Sequence, residues 1–71
     1  DMAGAIEAWK RAVELKPRFG YPLYYLGLTC LALGNKPEAL DYFLRYKEVT
    51  YRTLSPAEKA KLDRLIESCR N

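Results

Sequence analysis

Glu38 and Asp41 are the nearest approach to a catalytic pair in this chain: two carboxylates three residues apart, which a helix would set on one side. Such a pair could divide acid and base roles between its members. Each has a simpler use, Glu38 at a helix start and Asp41 in solvent. Histidine is absent, and Cys30 and Cys69 stand too far apart for a Cys-x-x-Cys redox or zinc motif. Neither a Gly-rich phosphate loop nor a Gly-x-Ser-x-Gly elbow occurs. The usual nucleophile, base and metal constellations therefore cannot be assembled, and the chain is expected to be no enzyme, with no cofactor and no metal. Both cysteines fall on apolar helix positions, where a free thiol behaves as a small hydrophobe. Reduced thiols would suit a cytoplasmic setting.

The cations are as scattered as the nucleophiles. Twelve Lys and Arg against nine Asp and Glu leave a net charge of +3, and the tightest basic group, Lys59, Lys61 and Arg64, is interrupted by Asp63. A nucleic-acid binder would gather its cations on one stripe, so no nucleic acid is expected. Residues 19–35 carry no charge, but a spanning helix needs about 20 apolar residues, and this run includes Gly20, Pro22, Thr29, Gly34 and Asn35. No membrane span is expected. A helix apolar on most sides is one sandwiched between neighbours.

The elements that would position these side chains are four helices. The 71 residues allow one small domain, which buries about 60% of its unfolded surface, so every apolar residue counts. The first helix is expected over residues 2–16, with Asp1 as its cap, Pro17 as its stop, and Ala5, Ile6, Trp9, Ala12, Val13 and Leu15 at the spacing of one buried face. Pro22 suits the first turn of a second helix reaching about Leu33, and Gly34 supplies a left-handed stop. Asn35 with Glu38 reads as a capping box for a third helix, to Tyr51 or Arg52, and Ser55, Pro56 and Glu58 open a fourth, ending near Arg70. The last helix has one narrow apolar stripe, Leu62, Leu65, Ile66 and Cys69. Short links make successive helices antiparallel neighbours.

Displaced by 34 residues, the chain matches itself. Ala5 returns as Ala39, Ile6 as Leu40, Trp9 as Phe43, Arg11 as Arg45 and Glu14 as Glu48, and Pro22 returns as Pro56. That period is the length of a tetratricopeptide repeat. Leu26-Gly27, Ala39 with Phe43, Ala5 with Trp9, and Pro17 meet the pattern of that family, which the chain resembles. On this resemblance, residues 20–53 are one complete repeat, residues 1–19 the second helix of a preceding one, and residues 54–71 a capping helix. Leu23, Cys30, Tyr46 and Tyr51 depart from the pattern, the last two implying a displaced fourth helix, and Lys61 stands 34 residues after Gly27. The expected core is Ala5, Ile6, Trp9, Leu23, Leu26, Gly27, Cys30, Ala39, Leu40 and Phe43.

The resemblance implies an all-α solenoid fragment of helix-turn-helix repeats that binds a peptide or partner protein. Its concave face would carry Tyr21, Tyr24 and Leu28, with Tyr25 at the margin. Tyrosine offers large area at small entropic loss, as a peptide groove requires, although the same residues could pack a neighbouring helix instead. Without Lys and Asn on that face a carboxylate clamp is not expected, and an aromatic or aliphatic segment fits better. Gly4-Ala5-Ile6-Glu7-Ala8-Trp9 also resembles Sel1-like repeats, which have longer links than residues 33–37 provide. A regulatory or oligomerising appendage of a larger enzyme or regulator is the other reading. A first helix lacking a partner implies a longer array or a homodimer.

Overall fold

The computed structural model describes residues 2–16 and 20–70. The expected cap Asp1 and stop Pro17 lie outside the described residues. Four α-helices account for nearly all of the rest: α1 (Met2–Leu15), α2 (Gly20–Ala32), α3 (Lys36–Thr50) and α4 (Pro56–Arg70), with a 3-10 turn, Tyr51–Thr53, between the last two. The fold is all-α. Packing follows chain order, α1 on α2, α2 on α3, α3 on α4. A link as short as residues 33–35 returns each helix alongside the one before it.

Each junction has a local cause. Gly34 adopts φ 80°, and its N–H donates to the Leu31 carbonyl while the Asn35 N–H donates to the Cys30 carbonyl, at 3.0 and 2.8 Å. This pair of bonds satisfies carbonyls that the end of α2 would otherwise leave open. At the start of α4 the capping box forms as the residue types imply: the Ser55 N–H donates to Glu58 Oε1 and the Glu58 N–H to Ser55 Oγ, both at 3.2 Å. The expected box at Asn35 and Glu38 does not form. Asn35 is the N-cap of α3 but makes no side-chain cap bond. Its own N–H is already spent on closing α2, and its φ of −93° and ψ of 68° belong to that turn.

Leu23, Leu26, Cys30, Ala39, Phe43, Leu62, Ile66 and Cys69 form the buried interior, with Phe43 and Leu26 fully enclosed. Gly27 makes the central contact. A Cβ there would stand 2.5 Å from Cε1 of Phe43, so the absent side chain is what lets α2 and α3 approach. Four expected core residues are only half-buried: Ala5, Ile6, Trp9 and Leu40. The first three lie on α1, which packs against α2, and Leu40 flanks the core rather than filling it. Leu15, expected on the buried face, is 77% exposed, because it falls on the outer side of α1 beside Ala8, Arg11 and Ala12.

Both cysteines are buried and free. Burial pushes the Cys30 thiol up from its ordinary value of 9.0, Glu38 adding to the rise and Lys10 opposing it. Cys69 is raised too, by burial against the pull of Lys36. Among the described residues no helix is long and apolar enough to cross a membrane.

Candidate binding cleft

The first turns of α2 put Tyr21, Tyr24 and Tyr25 within one turn of each other, at the spacing where helical side chains share a side. Tyr24 is the anchor of the three. Half-buried, it lies edge-on to Phe43 at 6.2 Å between centroids, and 5.1 Å from Tyr46 of α3. Tyr21 is 67% exposed. Tyr25 stacks on Trp9 of α1 at 5.5 Å, with an interplanar angle of 19°, so α1 braces one side of the aromatic group.

These three rings and Tyr46 wall a cleft of about 220 Å³, whose opposite side is built by Leu54, Glu58, Lys61 and Leu62. The turn after α3 makes that opposite wall possible, since Leu54 with ψ 143° is extended and carries the chain from the 3-10 turn into α4. Lys47 ties the same junction by donating to Asp63 Oδ1 at 3.2 Å. Gly20 explains why a tyrosine fits at position 46. A Cβ on Gly20 would lie 2.6 Å from Cγ2 of Thr50 and 3.2 Å from Cε1 of Tyr46, so the first residue of α2 vacates the space those side chains occupy.

Of the residues expected on the concave face, Tyr21 and Tyr24 meet in the cleft and Tyr25 joins them. Leu28 does not line it. It is half-buried and packs against the interior cluster. The wall contributed by Tyr46, Leu54, Glu58, Lys61 and Leu62 was not legible in sequence, because those residues were accounted for by the core stripe, the cap or the solvent face. Tyr46 alone gave a signal, a large aromatic where the repeat pattern has a small residue.

Burial pushes the Tyr46 hydroxyl up from its ordinary value of 10.0, with Thr50 opposing the rise and Tyr24, Glu58 and Tyr21 adding to it. The ring therefore stays neutral well above physiological pH. No family model, curated protein or solved structure matches this chain. What the molecule does must be read from its own surfaces.

Among the described residues no three His, Cys, Asp or Glu come together as metal ligands. Glu38 is exposed and receives a weak contact from Cys30 Sγ at 4.0 Å, and Asp41 pairs with Arg45 at 3.0 Å. The two carboxylates thus face different partners. The cleft offers aromatic surface, hydroxyls and one charge of each sign, which is equipment for recognition.

Proposed function

We propose that this chain is a non-catalytic protein-binding module of tetratricopeptide type, and that it takes a peptide segment of a partner in the tyrosine cleft between α2 and α4. The observation that carries this reading is the convergence of Tyr21, Tyr24, Tyr25 and Tyr46 on one open groove. Rigid aromatic side chains with polar tips give contact area at small entropic loss. Gly27 against Phe43 and the self-match at 34 residues support the repeat assignment.

The exposed ring is the better probe. A peptide-array screen supplies a ligand, and Tyr21→Ala is then expected to weaken its binding about tenfold or more while leaving the melting temperature unchanged. Tyr24→Ala should lower binding and stability together, because that ring also packs on Phe43. Binding indifferent to Tyr21→Ala, or an array from which no peptide is retained, would count against the proposal.

A second reading, an oligomerising role, is favoured by the outer side of α1. Leu15 stands there 77% exposed beside a shallow hollow between Ala8 and Ala12. A second copy covering that side would give a mass in light scattering that rises with concentration and falls on Leu15→Glu. A monomer at every concentration would remove this reading.

A further inference from the structure

The cleft continues past Tyr21 and Tyr46 into a second compartment of about 320 Å³, bordered also by Gly20, Thr50 and Thr53. Leu54 and Glu58 are common to both parts, whereas Lys61 borders only the first. The second compartment is therefore lined by one carboxylate and no cation.

Its hydrogen-bonding capacity is one-sided. The Thr50 hydroxyl donates to the Tyr46 carbonyl at 2.7 Å, and the Thr53 hydroxyl donates to the Thr50 carbonyl at 2.8 Å. With their protons spent, both oxygens have only lone pairs to offer a ligand. Glu58 is an acceptor by nature, and its Oε1 holds the Ser55 N–H at 3.2 Å, which fixes the carboxylate in place. Two tyrosine rings complete the walls, and aromatic faces attract cations within about 6 Å of the centroid. The same chemistry is visible elsewhere on this molecule, where Lys47 and Lys59 ammonium groups stand 5.0 and 4.7 Å from the Tyr51 centroid and the Arg45 guanidinium 5.8 Å from that of Tyr42.

Resting on the peptide-binding reading above, we infer that this second compartment receives a basic side chain of the bound peptide, arginine in preference, while an adjoining apolar residue fills the first compartment against Tyr24 and Leu62. A guanidinium is all donors and no acceptor, carries the charge that complements Glu58, and is flat enough to stack on a ring. An acidic side chain is refused by the same carboxylate.

The probe is the acetylated, amidated pentapeptide Leu-Ala-Arg-Ala-Leu, compared with the versions bearing norleucine or glutamate at the centre. Binding is read by calorimetry and by the fluorescence of Trp9, the one tryptophan, whose stacking partner Tyr25 lines the cleft. The arginine peptide should bind about three- to tenfold more tightly than the norleucine peptide, and the glutamate peptide more weakly than either. Glu58→Gln should bring the first two within about twofold of each other, while melting stays unchanged because glutamine serves in the same capping box. Lys61→Gln should leave the arginine preference in place. Failure of the arginine peptide to bind, equal binding of arginine and norleucine, or a preference that survives Glu58→Gln would overturn the inference. A norleucine peptide that binds equally well and is lost on Tyr21→Ala would separate that outcome from failure of the peptide-binding reading.

Discussion

Gly27 and Phe43 show how much of this fold rests on single side chains. Phe43 is fully enclosed, so its ring cannot yield to a methyl group placed 2.5 Å away, and Gly27→Ala should destabilise by about 1 to 3 kcal/mol. Phe43→Ala should cost about 3 to 5 kcal/mol, enough to unfold a domain of this size, and urea unfolding would measure both. Trp9→Ala should cost less, about 1 to 2 kcal/mol, because half-burial and the Tyr25 stack are all that it forfeits. The thiols set an alkaline limit. Cys30, Cys69, Tyr42 and Tyr46 all have raised values in the folded chain, so the stability they contribute is complete below their unfolded values and is lost as pH rises through the folded ones. Melting temperature should accordingly fall above about pH 9, and the native thiols should react slowly with a disulfide reagent at neutral pH.

At the scale of the element, two helix starts that look alike in sequence differ in structure. Ser55 and Glu58 exchange bonds, whereas the Asn35 side chain caps nothing. Ser55→Ala should therefore cost about 1 kcal/mol and Asn35→Ala far less, a contrast that thermal denaturation would resolve. Equal losses would mean that Asn35 supports the turn through a bond absent from this arrangement. Gly34 is special for its backbone alone: a Cβ there meets nothing within 4 Å, yet φ of 80° strains any L side chain.

For the whole molecule, stability is unevenly spread. Extents of 32 × 27 × 16 Å describe a slab, with α3 between α2 and α4 and with α1 resting on α2. Among its described residues α1 has no fully buried side chain, while α3 contributes Ala39 and Phe43. Native-state amide exchange should therefore be fastest in α1 and slowest in α3. Protection of α1 equal to that of α3 at high protein concentration, but not at low, would show that a second copy covers it.

Helix identity, the Gly34 stop, the Ser55 cap and the core stripe of α4 were legible because they depend on residues three or four apart, where backbone geometry leaves few choices. The Gly27 contact was legible from the match between Ala5 and Ala39, Trp9 and Phe43, since a repeated pattern implies a repeated packing. The second wall of the cleft was not. Leu54, Glu58 and Lys61 face Tyr21 and Tyr46 only because the 3-10 turn and extended Leu54 carry α4 to that position, and the space for Tyr46 exists only because Gly20 approaches it from another helix. Likewise, periodicity assigned Leu15 to a buried face that the docking of α1 leaves in solvent. Local sequence determined what each helix is; which of its sides meets another was decided by tertiary packing, because burial is a property of neighbours that no single helix contains.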